Sequence, residues 1–277
     1  MKIIKKLISS DSSVKYLFEL TDGESIEAVY IPQPDGVNLC ISCQVGCVNK
    51  CKHCATSRIE YVRDLASEEI IEQTTAMLED RRFARGKVKI LFMGMGEPLF
   101  NYGNVLAAIN MFKAQPWLHS VHDITVSTSG IVPNINKLAK EITRPRLAIT
   151  IGATSDDKRS WLLVPVGKLY DLSITLAACR QYTETTKESV IFQYPLIKNF
   201  NDSSDEAKAL SNLITDIPCE VHVIPFNEFE GSVLRRPTDD ELSHFCQTLA
   251  SYDLKVTQKP SFGVDIDAGC GQLKAMG

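Results

Sequence analysis

Five of the nine cysteines lie within one fifteen-residue segment, CISCQVGCVNKCKHC, which predicts a metal centre. Thiolate sulfur suits zinc and iron–sulfur clusters alike, so the chemistry of the ligand alone does not distinguish them. One arrangement is a zinc site built from two CxxC pairs, Cys40/Cys43 and Cys51/Cys54, although the seven residues between the pairs are few for a zinc ribbon. The other arrangement has three thiolates at CxxxCxxC spacing, from Cys47, Cys51 and Cys54. Three ligands on a four-iron cluster leave one iron open to an exogenous molecule.

A second segment with chemical potential, Gly94-Met95-Gly96-Glu97-Pro98, follows an apolar run typical of a strand. Glycine admits φ > 0 and lets a ligand approach the backbone closely, and the Glu97 carboxylate can accept a charge-assisted hydrogen bond from an ammonium group. A dinucleotide-binding turn is the weaker interpretation, because Pro98 replaces the helix opening and no third glycine follows. The segment therefore predicts a cofactor contact at Gly96 and Glu97.

Alternating strand and helix signals must position these segments. The predicted strands are residues 37–41, 87–93, 123–126, 146–151, 189–196, 219–225 and 254–258. Helical patterns lie between them at residues 67–82, 104–114, 135–141, 170–182, 204–213 and 238–251. Six strand–helix units predict an α/β fold with parallel strands covered by helices, as an open sheet or an incomplete barrel.

Polar and small residues follow the carboxyl end of strand after strand, at residues 43–54, 94–97, 127–130, 152 and 227. Parallel α/β folds bind their ligands at that end, on the strand-to-helix loops. Five loops that contribute to one mouth favour a barrel over a crevice at a single switch point. A metal centre after the first strand lies at this mouth, where a cluster would have a use, and this position favours the iron–sulfur arrangement.

Ahead of the barrel, residues 1–35 predict a small N-terminal β extension, and residues 36–277 form the second part of the chain. Two short strands, residues 16–20 and 25–31, are joined by the turn signal Thr21-Asp22-Gly23. The proline- and glycine-containing segment at residues 31–36 then interrupts the chain.

The composition limits the function classes. Lys and Arg number 30 against 34 Asp and Glu, so the net charge of −4 argues against a protein that grips nucleic acid by net charge alone. Hydrophobic content of 44% and charged content of 23% are ordinary for a globular protein, and no apolar run reaches the ~18 residues of a membrane span. The basic start, MKIIKKLISSDSS, lacks the ~7–15-residue apolar stretch of a signal peptide. We therefore expect a cytoplasmic protein with reduced thiols.

With these motifs in view, the chain resembles a known family. The CxxxCxxC segment is similar to the signature of radical S-adenosylmethionine (SAM) enzymes. More closely, the chain resembles the methyltransferases that modify carbon 2 of adenosine in ribosomal and transfer RNA, and equally their relatives that act on carbon 8. The resemblance runs from about residue 11 to the end and rests on the segments LCISCQVGC, LFMGMGEPLFNYGNV, ITVSTSGIVP, LVPVGKLYDL, HVIPFNEFEGS and DIDAGCGQL. It implies a partial (βα)6 barrel that holds a 4Fe-4S cluster and SAM.

The resemblance also implies roles for individual residues. Cys47, Cys51 and Cys54 would be the iron ligands, and the open iron would bind the amino and carboxylate groups of SAM. An electron from the reduced cluster would then cleave SAM to give a 5′-deoxyadenosyl radical. The positions that would contact SAM are Gly96, Glu97, Ser127, Ser129 and Asn227.

Cys270 would be the residue that carries the reaction. The matching cysteine of the family is methylated by one SAM, and the radical from a second SAM removes a hydrogen from that methyl group before the carbon adds to the adenine ring. Cys40 matches the cysteine that removes the ring proton and closes a transient disulfide with Cys270. Glu27 matches a carboxylate near the target base, and His53 matches a position that the family fills with an aromatic ring. A flavodoxin is the reducing partner that the resemblance implies.

Several positions depart from the family pattern. Family members carry an additional helical domain ahead of this body, whereas residue 1 falls just before the catalytic part. Two arginines of the family are replaced within Lys259-Pro260-Ser261-Phe262, and Cys43 stands where a hydroxyl residue is usual, so that it could compete with Cys40. These departures weaken the RNA assignment, because Lys and Arg contacts to phosphate supply most non-specific affinity. The alternatives are the same chemistry on a small molecule, free nucleotide or peptide, or a non-catalytic iron–sulfur or zinc protein.

Overall fold

A sheet of ten strands organises the protein, which was analysed as a computed structural model describing residues 1–84 and 86–275. The strands are β1 (Lys2–Ile8), β2 (Val14–Glu19), β3 (Ser25–Gln33), β4 (Gly36–Cys40), β5 (Gln44–Val45), β6 (Arg63–Asp64), β7 (Lys87–Phe92), β8 (Ile124–Thr128), β9 (Arg146–Thr150), β10 (Val190–Leu196), β11 (Cys219–Pro225) and β12 (Val256–Gln258). The helices are α1 (Ser67–Asp80), α2 (Tyr102–Lys113), α3 (Val132–Leu138), α4 (Asp156–Leu162), α5 (Val166–Leu169), α6 (Leu172–Thr186), α7 (Ser204–Ile214) and α8 (Asp239–Ala250).

The order of strands in the main sheet is β1-β2-β3-β4-β7-β8-β9-β10-β11-β12. Strands β1 to β4 pair antiparallel, and every pair from β4 to β12 is parallel. At least one helix follows each of the six strands β4 and β7 to β11, because a parallel pair needs a crossover connection. The expected α/β fold, an incomplete barrel of six strand–helix units, is thereby confirmed.

Burial alternates along the strands and divides the barrel into two sides. On β7, Val88 and Ile90 are buried under the helices, whereas Lys87 and Lys89 are exposed on the opposite face. Strand side chains point to opposite faces with period two, so these lysines face the barrel interior near the amino ends of the strands. The apolar core thus lies between sheet and helices, and the interior is lined by both polar and apolar side chains, with Leu91, Met93 and Ile224 among the apolar ones.

Most predicted elements occur where they were expected, with ends that differ by a few residues. Helix α8 begins with a capping box, in which the Thr238 hydroxyl accepts from Glu241 N at 3.2 Å and the Glu241 carboxylate accepts from Thr238 N at 2.7 Å. The prediction missed β1, β5, β6, α4 and α5. Strand β1 has an exposed, lysine-rich face that lacks the apolar alternation of a half-buried strand.

The N-terminal strands continue the barrel sheet directly. Strand β3 pairs antiparallel with β4, from Gln33 opposite Gly36 to Val29 opposite Cys40. This backbone pairing, which includes Cys40, joins the two parts of the chain. The division of the chain at residues 35 and 36 stays a prediction. Among the described residues, no helix is long and apolar enough to cross a membrane.

Candidate active site

Loops at the carboxyl ends of the barrel strands enclose one cavity, which we call the cofactor cavity. It lies at the edge of the sheet where parallel α/β folds bind ligands. All three predicted cluster cysteines and all five predicted SAM-contacting residues line it together with Cys270. These residues are Cys47, Cys51, Cys54, Gly96, Glu97, Ser127, Ser129, Asn227 and Cys270.

The cysteine loop after β4 is fixed by its backbone and by apolar packing. Lys50 N donates to Val164 O at 2.6 Å, and Lys52 N donates to Leu162 O at 2.9 Å. Cys51 packs against a small apolar cluster, separate from the main core, formed by Leu162, Leu163, Ile197, Phe226 and Leu234. The segment that contains α4 therefore positions the cysteine loop.

The three thiols are close enough to influence one another electrostatically. Burial raises the pKa of Cys47 to about 12, and the neighbouring Cys54 thiol contributes to this shift. Burial also raises the pKa of Cys51 and of Cys54, and the other two thiols add to the effect at Cys51. Three thiolates in such a place need a cationic centre to offset their charge, and iron in a cluster supplies it.

The two CxxC pairs of the zinc alternative do not meet in one place, because Cys51 and Cys54 line the cofactor cavity whereas Cys40 and Cys43 do not. Zinc would need four such thiolates around one point. Each thiolate of a four-iron cluster binds a different iron, so the cysteines need not meet at one point.

Glu97 is a buried carboxylate at the centre of a hydrogen-bond network. Its carboxylate accepts from Ser129 N at 2.8 Å, from Ser129 Oγ at 2.7 Å and from Leu99 N at 3.0 Å. Asn49 Nδ2 donates to the same carboxylate at 3.3 Å and to Ser129 Oγ at 2.8 Å. Burial raises the pKa of Glu97, while the hydrogen bonds from Ser129 act in the opposite direction. The carboxylate is thus held rigidly at the cavity wall.

Gly96 is required by the close packing of this wall. Its φ is +102°, and a Cβ at this position would lie 2.7 Å from the Gln44 side chain. Gln44 Oε1 in turn accepts from Glu97 N at 3.0 Å. The glycine therefore lets the Glu97 segment lie directly against the start of the cysteine loop.

Two buried polar atoms of the cofactor cavity have no hydrogen-bond partner among the described residues, namely Asn49 Oδ1 and His53 Nδ1. Buried polar atoms nearly always have a hydrogen-bond partner, so these two atoms indicate that a ligand supplies the missing partners. Burial lowers the pKa of His53 to about 4, which leaves the ring neutral near pH 7. An ammonium donor such as that of SAM suits the Asn49 oxygen. The cysteines and these two unpartnered atoms fit a cluster and SAM.

The remaining predicted SAM contacts have partners at the cavity wall. Ser127 Oγ donates to Gln193 Oε1 at 2.5 Å. Asn227 Nδ2 donates to the Cys270 carbonyl at 3.1 Å, and Arg236 Nη1 donates to Asn227 Oδ1 at 2.7 Å. Asn227 therefore also orients the Cys270 backbone.

Cys270 lies where the cofactor cavity meets a second cavity, and it lines both. The second cavity, here called the barrel cavity, occupies about 730 Å³ inside the barrel and is lined by Cys40, Cys270, Gln193, Lys89, Arg146 and Lys259 among others. The Cys270 side chain is exposed at this junction. Burial raises the pKa of Cys40, and the nearby Cys270 thiol contributes to that shift. The structure thus brings Cys40 and Cys270 together, with Cys270 also near the cluster cysteine Cys54.

Cys43, the possible competitor of Cys40, is in a different environment. Only 2% of its surface is exposed, and it packs in the main apolar core rather than along either cavity. All nine cysteines are free thiols. The expected disulfide between Cys40 and Cys270 is therefore not supported by the structure.

Glu27 lines neither cavity, so the structure provides no contact for its expected role beside the target base. Its carboxylate forms a buried ion pair with Lys15 Nζ at 3.2 Å and accepts from Lys274 N at 2.9 Å. Lys15 Nζ also donates to the Asp267 carbonyl at 3.1 Å. Asp267 and Lys274 flank Cys270 in sequence, so this ion pair holds both ends of the Cys270 loop.

Sequence reasoning did not identify two polar residues of the site, Asn49 and Gln193. Asn49 lies between the cluster cysteines in sequence. That its Oδ1 atom is buried without a hydrogen-bond partner depends on contacts that only the fold creates. Gln193 is the single amide in the buried strand VIFQYPL, and it contacts Ser127 and Thr150 in the barrel interior. A polar side chain within an apolar strand was the available signal.

Comparison with known proteins agrees with this geometry. The Radical SAM superfamily matches residues 41–210, which is more than half of the chain. A dual-specificity RNA methyltransferase RlmN from Geobacter sulfurreducens is 40% identical over 268 residues, which cover 96% of this chain and 73% of the relative. The protein of the same name from Syntrophotalea carbinolica is 42% identical over 269 residues, which cover 96% of this chain and 71% of that relative. The crystal structure of a radical SAM methyltransferase from Sphaerobacter thermophilus superimposes with a TM-score of 0.94 at 36% identity, over 99% of this chain and 81% of that one.

The superfamily match means that the cofactors are a 4Fe-4S cluster and SAM, as the resemblance implied. The three thiols and the unpartnered polar atoms that share one cavity with Glu97 suit both groups. Identity of about 40% over nearly the whole chain extends the likeness from the superfamily to one family within it. This chain belongs to the radical SAM superfamily and, within it, to the family of the RlmN methyltransferases.

Proposed function

We propose that this protein is a radical SAM methyltransferase that methylates carbon 2 of an adenosine in ribosomal or transfer RNA. The observation that carries the proposal is the position of Cys270 at the junction of the cofactor cavity and the barrel cavity, near Cys40. The relatives from Geobacter sulfurreducens and Syntrophotalea carbinolica are named as RNA methyltransferases, which supports RNA as the substrate.

The residues of the cofactor cavity divide into two groups by the ligand that they suit. Cys47, Cys51 and Cys54 would hold the cluster, and Glu97 with Asn49 would receive the ammonium group of SAM. When bound, the two cofactors supply a methyl group and the radical that activates it. Ser127, Ser129 and Asn227 complete the wall around SAM.

Cys270 carries the methyl carbon on its sulfur and presents it to the adenine ring in the barrel cavity. Gly271, at φ +82°, gives the Cys270 loop a turn that a residue with a Cβ would resist. After the carbon radical has bonded to the ring, the adduct must give up one electron, for which the oxidised cluster would be the acceptor, and a thiolate at Cys40 then removes the ring proton.

Cys40 then resolves the bond between protein and substrate. Its sulfur attacks Cys270 Sγ, the sulfur–carbon bond breaks with its electron pair on the carbon, and that carbon takes up a proton to become the methyl group. The two cysteines are left as a transient disulfide, which an external reductant must return to thiols by supplying two electrons. A flavodoxin-type protein is the proposed reducing partner.

The test is an anaerobic reaction of reconstituted protein with methyl-deuterated SAM and total RNA, followed by digestion and mass spectrometry of the nucleosides. We expect labelled methyladenosine with two deuterium atoms in the transferred methyl group, since one is removed in the activation step. Cys270→Ala should abolish the label, and Cys40→Ala should leave RNA bound covalently to the protein. Cys219→Ala, at a half-buried thiol outside both cavities, is the matched control.

Two outcomes would contradict the proposal in different ways. Unlabelled RNA with accumulation of 5′-deoxyadenosine would mean that the radical chemistry works on another substrate, such as a free nucleotide or a peptide. Three deuterium atoms in the product, or full activity of Cys270→Ala, would contradict the relay through Cys270.

A further inference from the structure

The barrel cavity has a basic end that the chemistry at Cys270 does not use. Four cationic side chains line it, Lys87 and Lys89 on β7, Arg146 at the start of β9 and Lys259 just after β12, against one carboxylate, that of Asp123. The chain as a whole carries a net charge of −4. A concave site with the opposite sign from the rest of the protein concentrates anions, because its walls focus the field.

Three of these cations remain available to a ligand. Lys87 pairs with Asp123 at 3.1 Å. Arg146 contacts Glu220 at 3.3 Å, and Glu220 also pairs with Lys255 and His222, so its single charge is shared. Neither Lys89 nor Lys259 has a carboxylate within 4 Å among residues 1–84 and 86–275.

Lys89, Arg146 and Lys259 line the same cavity, close enough for their charges to repel one another. Burial lowers the pKa of Lys259, and the charges of Lys89 and Arg146 lower it further against the opposing effect of Glu220. A cluster of like charges around a cavity is costly for the free protein. An anion bound between them would remove that cost and gain charge-assisted hydrogen bonds.

We propose that Lys89, Arg146 and Lys259 form a phosphate-binding subsite that holds a phosphate group of the nucleotide whose base reaches Cys270. This inference rests on the proposed function for the identity of the nucleotide. Arginine and lysine are the residues that bind phosphate in proteins, and the arginine fork suits its oxygens.

The spacing inside the barrel agrees with the size of one nucleotide. In the register of β4 and β7, Asn38 lies opposite Lys89 and Cys40 lies opposite Leu91. Along the strand direction, Cys40 is therefore offset from Lys89 by two residues, or about 7 Å. The cavity is also lined by Asn38, opposite Lys89, by Thr125, opposite Leu91, and by His222, whose polar groups suit a sugar or a base edge. Its volume of about 730 Å³ lies within the usual range for small-ligand sites.

The experiment compares the binding of a fluorescent single-stranded RNA that contains adenosine, by anisotropy at several salt concentrations, without any catalytic turnover. The test variant is Lys89→Gln/Arg146→Gln/Lys259→Gln. The control, Lys140→Gln/Lys168→Gln/Lys208→Gln, removes the same charge from exposed positions on the outer helical layer. We expect the test variant to bind at least ~10-fold more weakly than the control at low salt. The slope of log K against log salt should fall by roughly 0.7 for each lost phosphate contact.

A titration with inorganic phosphate, followed by ³¹P NMR line broadening, separates the subsite from the proposed function. One outcome would be that the wild type binds phosphate but no RNA, and that only the test variant loses phosphate binding. The phosphate subsite would then be supported for another phosphorylated substrate, and the RNA assignment would be wrong. If the test variant matches the control in RNA affinity, salt slope and phosphate binding, the subsite is overturned. The absence of phosphate binding to the wild type would overturn it equally. Thermal unfolding of both variants checks that each is folded.

Discussion

At the scale of single residues, the cysteines differ by environment rather than by chemistry. Cys47, Cys51 and Cys54 line the cofactor cavity, Cys40 and Cys270 share the barrel cavity, and a third environment is the apolar core. Cys43 belongs to that core although it is only three residues from Cys40 in sequence. The thiols at the cavities can reach a ligand, whereas a core thiol contributes packing.

This difference predicts opposite effects of two similar substitutions. Cys43→Ala should lower the free energy of unfolding by about 1–2 kcal/mol, because it removes a buried sulfur from a packed core, and it should retain methyl transfer. Cys40→Ala should change stability less, since its side chain borders a cavity, and should abolish product release. Urea unfolding and the deuterated SAM assay measure the two effects. Loss of turnover in Cys43→Ala, with turnover retained in Cys40→Ala, would assign the partner of Cys270 to the other thiol.

At the scale of elements, the Cys270 loop is positioned by strands far away in sequence. Lys15 on β2 and Glu27 on β3 contact Asp267 and Lys274, and their side chains are only 8% and 3% exposed. On the other side of the loop, Ala55 N donates to Gly271 O at 2.6 Å. The N-terminal strands and the cysteine loop therefore hold Cys270 between them.

Breaking the Lys15–Glu27 pair should release the loop. Glu27→Gln leaves the Lys15 ammonium buried without its partner, so we expect a loss of about 3–5 kcal/mol in the free energy of unfolding. Lys15→Met/Glu27→Gln should recover part of that loss while the loop stays loose, and iodoacetamide should then alkylate Cys270 faster, as read by peptide mass spectrometry.

The matched control is Asp216→Asn, which breaks the exposed Arg180–Asp216 pair and should cost less than about 1 kcal/mol. Unchanged alkylation of Cys270 in the double variant would argue against a positioning role for the ion pair.

Glu220, which contacts Arg146 of the barrel cavity, is a carboxylate whose titration affects stability. Burial opposes the ionisation of Glu220 on β11, but hydrogen bonds from His222 and Thr257 outweigh it, and its pKa is lowered to about 2. Because the folded pKa lies below the unfolded value near 4.5, the stabilisation is present above pH 4.5 and is lost as the pH falls toward 2.

Glu220→Gln should therefore reduce the free energy of unfolding at pH 7 by up to about 3 kcal/mol, with the difference from wild type disappearing toward pH 2. Urea unfolding of both proteins between pH 2 and 7 measures this difference. Glu184→Gln, at an exposed position on α6, provides the comparison. A difference that does not depend on pH would contradict the assignment.

At the scale of the whole molecule, the sheet continues without interruption from β1 to β12. The two ends of the chain also meet, since Ser9 Oγ donates to Asp265 at 2.5 Å and Gly263 N donates to Asp11 at 2.7 Å. The N-terminal extension and the barrel thus share hydrogen bonds on two sides.

This continuity predicts one cooperative unit. In native-state hydrogen exchange, the slowest amides of β2 and β3 should open with the same free energy as those of β8 and β10, and this free energy should match the global one. Exchange of β2 and β3 at a clearly lower free energy would instead mean that the extension unfolds alone, as the division at residues 35 and 36 suggests.

The extent of prediction from sequence followed the range of the interactions involved. The six strand–helix units, the Thr238 cap and the cysteine loop depend on local period, capping and spacing, and they were predictable. Strand β1 and helices α4 and α5 have weak local signals, and tertiary packing decides them. The unpartnered Asn49 oxygen and the place of Gln193 inside the barrel depend on contacts between distant segments.

By itself, the sequence determined which residues are available: three cysteines at cluster spacing, a glycine–glutamate turn and a cysteine near the end of the chain. It also determined that strand ends bring the first two to one mouth, because carboxyl ends of parallel strands share an edge. Only the tertiary structure decided that Cys40 faces Cys270 while Cys43 enters the core, and that Glu27 supports the Cys270 loop from below. These outcomes depend on which face of a strand each side chain takes and which segments pack across it, and local sequence does not encode either.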